Sequence, residues 1–497
     1  MIHVTIAALL LSFAVYLFIG IRLGFSTKSI GDLLPISRDK QASVRSAREF
    51  SSSTVATTIS LATVVVAFFE LAPYFGVWLF WCVLTTAGGI WAVRLLAPQI
   101  WKRLAPFEKR PSLHEFLGHS FGSNKVALVG AICTVLGFLS AFALELTVGA
   151  RFISGLIKGY PQWTIVATLS VVAFVYTSLG GFRAVVVTDR IQMVAIWLLL
   201  FSLSAFTFYY IDGHGGWDVR IGSAPDGVFE LTYREGLISF MVGIFIINIF
   251  AYAADMSVWQ RIAASDKPQT IASGLGKSVL QSALTWTVLV GLACLALTII
   301  QPVEGENPLL TLLATVGLKS GAFGQLVLFF VVLGLFGAML STASTQLIAV
   351  SHTLYEDIAS RFRKKIALAE RLSSGKELFF SRVLLIYAAL VAVIAVEWLT
   401  YFGFSVADLV FAVYGAQLSL LPPILLALFA NQAKLKHLAG PAAWAIGFGF
   451  CAGWSGEFVG RLLNSPIASL SPIISIAVSG CIMGFSYFVS AKSPSSP

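Results

Sequence analysis

Charge is scarce in this 497-residue chain: only 11% of residues are Asp, Glu, Lys or Arg, and the 36 residues from 320 to 355 contain none. A hydrophobic fraction of 57% and a mean hydropathy of +0.86 exceed what one buried core can absorb, which excludes a water-soluble globular protein. Cysteine is also sparse. The five, at 82, 133, 294, 451 and 481, all fall in apolar runs and read as small hydrophobes, with neither a disulfide framework nor a zinc-ligand spacing. The opening "MIHVTIAALL" lacks a basic leader and a cleavage site, so it reads as a retained span instead of a signal peptide.

Enzyme signatures are missing too. "HEFLGH" (114–119) places its histidines five apart, which on a helix puts them on different faces, so it is not a zinc-protease pair. "GLGKS" (274–278) would need a glycine where Ile271 stands, and no βα unit surrounds it. No GxSxG elbow is present. The chain does not read as an enzyme.

What is present is a succession of apolar windows of ~20 residues, the length that crosses a bilayer. They fall roughly at 4–24, 51–69, 74–98, 126–154, 161–179, 187–211, 236–259, 275–301, 322–355, 382–400, 405–430, 437–457 and 468–490. The expectation is an all-α polytopic membrane protein of about thirteen transmembrane helices, with the termini on opposite sides. Placing the N-terminus outside leaves 27 of the 33 lysines and arginines cytoplasmic, including the 22–48 and 361–382 segments. The six exceptions are Arg151, Lys158, Arg220, Arg234, Lys319 and Arg461. Topology then accounts for the net charge of +9 without a nucleic-acid partner.

Hydroxyls are concentrated where charge is absent. In "GAMLSTASTQ" (337–346), Ala338, Ser341, Thr342 and Thr345 are spaced i, i+3, i+4 and i+7, one face of a helix, with Ser344 at its border. Such residues can serve helix packing by bonding the i−4 carbonyl. Combined with carbonyls freed at a helix break, they also make a hard-oxygen cage suited to Na⁺.

A second stretch is more specific. "YTSLGGFRAVVVTDRIQ" (176–192) resembles the Tyr-x-x-x-Gly-Gly-x-x-Ala-Val-x-x-Thr-Asp-x-x-Gln string of the sodium/solute symporter family, matching at Tyr176, Gly180, Gly181, Ala184, Val185, Thr188, Asp189 and Gln192. "SLHEFLGHSFG" (112–122), "WQRIAAS" (259–265), "LSTASTQLIAVSHTLYEDI" (340–358) and "LLPPILLALF" (420–429) are similar to family segments in the same order. The resemblance covers roughly residues 1–460. It implies a LeuT-type core of two five-helix inverted repeats, 47–211 and 236–430, flanked by a first helix and loop (1–46) and two accessory helices (431–497), with ion and solute bound at broken helices near the midplane.

The family's common sodium site maps onto the backbone of Ala56, Ile59 and Ala338 and the hydroxyls of Ser341 and Thr342. A second sodium site, held by some members, would use Asp189, Ser344 and Thr345, although Asp189 has a competing reading as a surface partner of Arg183 or Arg190. Position 58, where relatives carry Asn or Asp, is Thr58. Thr63 and Ser282 stand where sugar carriers have an amide and a lysine, so a sugar is disfavoured. Asn248 matches a solute-contacting asparagine, Ala251 replaces an aromatic gate, and Tyr252 beside it offers a ring.

Glu145, in "AFALELTVGA", is costly at this depth unless it meets a wet cavity or a partner. It reads as a contact for a cationic solute group, a proton-coupling carboxyl, or a structural hydrogen bond. Glu70, Asp255 and Glu397 lie near predicted span ends, where interfacial solvation suffices.

The resulting expectation is a multi-pass protein of a bacterial cytoplasmic membrane that carries a small amino-acid-like zwitterion or carboxylate inward with Na⁺, as a monomer and without another cofactor. A proton-coupled symporter using Glu145 and a transporter-like solute sensor are the alternatives, the sensor disfavoured because the chain ends at "AKSPSSP" without a signalling domain.

Overall fold

Twenty α-helices are found among the residues that the computed structural model describes, namely 2–38, 42–157, 159–302, 306–319, 321–360, 374–401, 406–463, 465 and 468–492. Lys158 and parts of the basic 22–48 and 361–382 segments lie outside them. In chain order the helices are α1 (Ile2–Gly24), α2 (Ile30–Leu33), α3 (Ala47–Thr58), α4 (Ala67–Phe75), α5 (Phe80–Leu104), α6 (Leu113–Ser120) and α7 (Asn124–Leu156). There follow α8 (Gln162–Asp212), α9 (Gly216–Ile221), α10 (Leu237–Ala254), α11 (Met256–Ala263), α12 (Pro268–Ala296), α13 (Pro308–Lys319) and α14 (Gly321–His352). The last six are α15 (Ser374–Tyr401), α16 (Val406–Gln417), α17 (Leu421–Phe429), α18 (Gln432–Leu435), α19 (Ala439–Leu462) and α20 (Ser471–Lys492). A single β-bridge, Val44 to Ser265, is the extended pairing found among the described residues.

Nine helical stretches among the described residues are long and apolar enough to cross a bilayer. They carry eleven of the thirteen expected spans, because 61–104 and 162–212 each contain two; α15 and α19 coincide with the remaining two. Large apolar side chains such as Phe18, Leu84, Trp163 and Phe201 are well exposed on these helices, as a lipid-facing surface requires. The centre is α14, buried along most of its length against α1, α3, α7 and α8.

The expected loop between the fifth and sixth spans is instead one residue. Within 162–212 the non-helical residue is Gly181, at φ 61° and ψ −157°. A straight 51-residue helix would run about 77 Å, more than twice the ~30 Å hydrocarbon thickness, so the chain turns back at this glycine. Its backbone also lies against α2, where an added Cβ would sit 2.3 Å from the Leu33 carbonyl oxygen.

Two other spans are broken. The run Thr57, Thr58, Ile59 is β-branched throughout, a poor helix former, and is followed by Ser60, a preferred N-cap. Accordingly α3 stops at Thr58, Ile59 and Ser60 leave helical geometry, and Leu61–Val66 resumes as a π-helix before α4. The seventh span was expected to be continuous over 236–259. It is interrupted at Asp255 (φ −80°, ψ 115°), whose carboxylate accepts from the backbone N–H groups of Ser257 (2.6 Å) and Val258 (3.2 Å) and so caps α11. Interfacial solvation therefore does not describe Asp255; it is a capping residue. Glu70 is half-buried on α4, and the Glu397 side chain lies outside the described residues.

The two histidines of "HEFLGH" diverge as their spacing requires. His114 is buried between Asp357 (3.0 Å) and Thr134 (2.8 Å), tying α6 and α7 to the end of the α14 span, while His119 is exposed.

Gly181→Ala combines a glycine-only backbone conformation, worth about 1–3 kcal/mol, with a backbone clash. It is expected to lower the thermal unfolding temperature of the purified protein by several degrees. Gly291→Ala in α12, where no atom lies within 4 Å of an added Cβ, should leave that temperature unchanged or raise it slightly.

Candidate functional site

Between the broken second and seventh spans lies a cavity of about 150 Å³. A single water needs ~10–15 Å³ on this measure, so there is room for a small organic molecule. One part of the wall is aromatic, with Phe68 and Trp286 edge to face at 5.3 Å and Phe240 stacked on Phe75 at 4.4 Å. Another part is polar, formed by Thr54, Thr57, Asp255, Ser257, Arg261 and Thr345.

Thr58, Asn248 and Tyr252 all line this cavity. Asn248 is positioned by its side-chain amide donating to Thr85 Oγ1 (3.0 Å) and by the close approach of α5 to α10. That approach needs Gly89, where a Cβ would fall 1.8 Å from the Asn248 carbonyl oxygen. Thr58 donates to the Val55 carbonyl (2.7 Å), closing the last turn of α3. Thr63 and Ala251 line the cavity as well, whereas the Ser282 hydroxyl returns to the Val279 carbonyl of its own helix (3.2 Å).

Glu145 is fully buried on α7 and is not part of the cavity wall. It accepts from the Ser60 hydroxyl and from the Ala62 N–H (3.4 Å), and Ser60 Oγ in turn accepts from the Thr63 N–H (2.8 Å). The carboxylate thus sits on the orphan donors where the second half of the broken span begins. Of the three readings open for Glu145, this geometry matches the structural hydrogen bond, and its partner Ser60 lines the cavity.

The hydroxyl stripe of α14 is buried and faces two partners. On one side Thr342 donates to the Thr57 carbonyl of α3 (3.2 Å) and to the Ala338 carbonyl (3.3 Å), with Ala56 buried in the last turn of α3 and Ile59 buried just beyond its end. Because α3 ends at Thr58, the carbonyls of its last turn, Ala56 among them, have no N–H one turn ahead in the helix. On the other side Ser341 donates to Asp189 of α8 (2.7 Å). Of the five residues assigned to the first sodium site, Ala56, Ile59, Ala338, Ser341 and Thr342, the last joins α14 to the broken span that carries Ala56 and Ile59, whereas Ser341 is turned to Asp189 of α8. Hydroxyl and carbonyl oxygens of this kind are hard donors suited to an alkali cation.

The three residues of the expected second site are used differently. Asp189 lies fully buried and accepts from Ser53 and Ser341. Neither competing arginine reaches it. Arg183 forms a two-pronged pair with Glu49 (2.8 Å for each contact), and Arg190 also approaches Glu49 (4.0 Å). Thr345 lies 3.2 Å from Thr57 Oγ1 and accepts from Arg261, while Ser344 donates to the Ser341 carbonyl (3.2 Å). Sequence reasoning missed Arg261 and Asp255 as wall residues; the "WQRIAAS" segment was noted for its likeness, not its contacts.

Comparisons with known proteins place this geometry. The sequence model described as the sodium:solute symporter family matches residues 46–437. The high-affinity proline transporter PutP of Bacillus subtilis is 25% identical over 377 residues, 72% of this chain and 75% of that protein. The sheep sodium/glucose cotransporter 1 is 22% identical over 69% of this chain, and the match spans 56% of the cotransporter. Among solved structures, the substrate-bound outward-open state of a Na⁺-coupled sialic acid symporter superposes with a TM-score of 0.75 at 16% identity, covering 98% of this chain and 97% of that one. The closed conformation of Mhp1, a nucleobase-cation-symport-1 family transporter with bromovinylhydantoin bound, gives 0.58 at 13% identity over 94% and 97%. These likenesses confirm the expected LeuT-type fold.

Replacing Glu145 by Ala leaves the Ser60 hydroxyl and the Ala62 N–H without their acceptor, at a cost of about 1–3 kcal/mol. The expected result is a marked loss of thermal stability in detergent, with Glu145→Gln, which retains one acceptor oxygen, falling between the parent and the alanine variant.

Proposed function

The chain belongs to the sodium:solute symporter family, and from that premise we propose that it carries a small zwitterion or carboxylate, amino-acid-like in size, into the cytoplasm together with Na⁺ by alternating access. The observation that carries this reading is the Thr342 to Thr57 contact at 3.2 Å, which joins the hydroxyl stripe of α14 to the open end of α3. A cation held by Ala56, Ile59, Ala338, Ser341 and Thr342 would fix these two helices together, and its departure would release them. Inward movement of one positive charge gains ~2.3 kcal/mol per 100 mV, in addition to the concentration gradient. Coupling then requires only that ion and solute favour the same state.

The solute lies in the cavity beside Thr58, Asn248 and Tyr252. The bacterial proline transporter among the relatives supports an amino-acid-like solute, and Ser282, bonded to its own helix outside the cavity wall, supplies no equivalent of a sugar-binding lysine. Each proposed repeat, 47–211 and 236–430, begins with a broken span, at Ile59–Ser60 and at Asp255, as two copies of one motif would. The distribution of lysine and arginine supports an outside N-terminus and an inside C-terminus in a bacterial cytoplasmic membrane, with one copy of the chain sufficient for transport.

Ser341→Ala or Thr342→Ala removes one oxygen from the ion, worth about 1–2 kcal/mol, and should raise the sodium concentration for half-maximal uptake roughly 5- to 30-fold. The measurement is uptake into proteoliposomes of labelled proline, other small amino acids and monocarboxylates, with sodium and proton gradients imposed separately. Uptake by the parent protein that ignores sodium overturns the reading.

A further inference from the structure

Glu145 is a fully buried carboxylate with no lysine, arginine or histidine within ion-pair distance among the described residues. Its bonds to Ser60 and to the Ala62 N–H cap a helix start, but dipoles alone leave a net negative charge in a membrane interior. The charged side chains of the cavity wall do not answer it. Asp255 has the same sign and caps α11, and the Arg261 guanidinium donates to the hydroxyls of Ser53, Thr57, Ser257 and Thr345.

One hydroxyl separates Glu145 from the cavity. Ser60 belongs to the cavity wall, and a serine oxygen has one proton to give and two lone pairs with which to accept. The proton goes to Glu145, and one lone pair takes the Thr63 N–H (2.8 Å). The second lone pair has no donor among the described residues, and the bond that Ser60 gives to a carboxylate makes its oxygen a stronger acceptor. A donor fits there, and the charge behind it favours a positive one. A solute carboxylate would bring no proton to that oxygen and would face a like charge across a single hydroxyl in a low dielectric. The rings of Phe68, Trp286 and Tyr252 on the same wall suit a cationic group as well.

We propose that Glu145 selects the solute by charge: acting through Ser60, it is the counter-charge to a protonated amine, so that the carrier takes zwitterions and rejects plain monocarboxylates. The inference rests on the sodium-coupled reading above and narrows its solute class. Glu145 is then a positioning residue for Ser60 as well as a helix cap. The two roles are compatible, because the cap uses the direct bonds of the carboxylate and the selection uses its charge.

The test measures uptake by the full-length protein in proteoliposomes under a sodium gradient, for labelled pairs that differ in the amine: L-proline against cyclopentanecarboxylate, and L-alanine against isobutyrate. The parent is expected to take up the amine-bearing member of a pair with a kcat/KM roughly tenfold higher or more. Glu145→Gln keeps the shape and an acceptor for Ser60 but removes the charge, and should erase most of that ratio through a higher KM for the amine. Damage to the fold alone would lower both members of a pair alike. Glu145→Asp retains the charge and should retain the preference. Parent uptake of cyclopentanecarboxylate or isobutyrate that equals or exceeds that of its amine partner overturns the inference while leaving the sodium-coupled reading intact, and that result needs no variant to fold. A folded Glu145→Gln protein with the ratio of the parent also overturns it. A parent protein that takes up none of these solutes overturns the amino-acid-like reading on which the inference rests.

Discussion

A membrane interior offers no water to an interrupted helix, so every backbone group freed by a break must find a partner within the protein. This constraint organises the whole site. At Ile59–Ser60 the N–H groups of the resuming helix are met by Ser60 itself and by Glu145 from α7. On the other side of the break the Thr57 carbonyl is met by Thr342 of α14. At the second break Asp255 supplies its own cap. Two gaps in two helices thus explain the buried acids at 145 and 255 and the hydroxyl at 342. The cavity exists because both gaps open onto the same space.

The charged groups of the interior divide along the same lines. Arg183 and Glu49 neutralise one another directly, joining the turn after Gly181 to the first turn of α3. Arg261 and Asp189 do not touch; hydroxyls of Ser53, Thr57, Ser257 and Thr345 stand around the guanidinium. A direct ion pair would lock α11 to α8 at a large cost for separation. Pairing through hydroxyls keeps each charge solvated by dipoles that can reorient, an arrangement suited to helices that must change their relative positions.

Much of this architecture is legible in the sequence, and the remainder is hidden for identifiable reasons. Hydropathy locates the spans because each must cross the hydrocarbon, and a 3.6-residue period reveals that Ser341, Thr342 and Thr345 share a face. The same averaging cannot detect a break one residue long. The stretch 237–254 is so apolar that Asp255 reads as the end of a span, and Gly181 reads as part of a loop instead of a lone glycine between two helices. Partners far apart in sequence are equally invisible: Arg261 reaches Ser53 across 208 positions, and Ser53 reaches Asp189 across 136. For Glu145 the sequence correctly signals a buried acid in need of a partner, but only the fold distinguishes a solute from a helix terminus.

The choice of serine and threonine on α14 follows from the same chemistry. A hydroxyl has one proton to donate and two lone pairs with which to accept. Ser341 gives its proton to Asp189, and Thr342 gives its proton to the carbonyls of Thr57 and Ala338. With the protons drawn toward α8 and α3, the lone pairs are left for whatever lies between the helices, and each oxygen becomes more negative by virtue of the bond it donates. A carboxylate at either position would leave an uncompensated buried charge whenever no ion is bound, and an amide could turn an N–H donor toward the ion. The stripe therefore serves as both a helix contact and an oxygen donor set. On the sodium-coupled reading proposed above, the strength with which it would hold a cation depends on α3 and α8 staying in reach of its protons, so that any motion separating these helices from α14 would weaken that hold at the same moment.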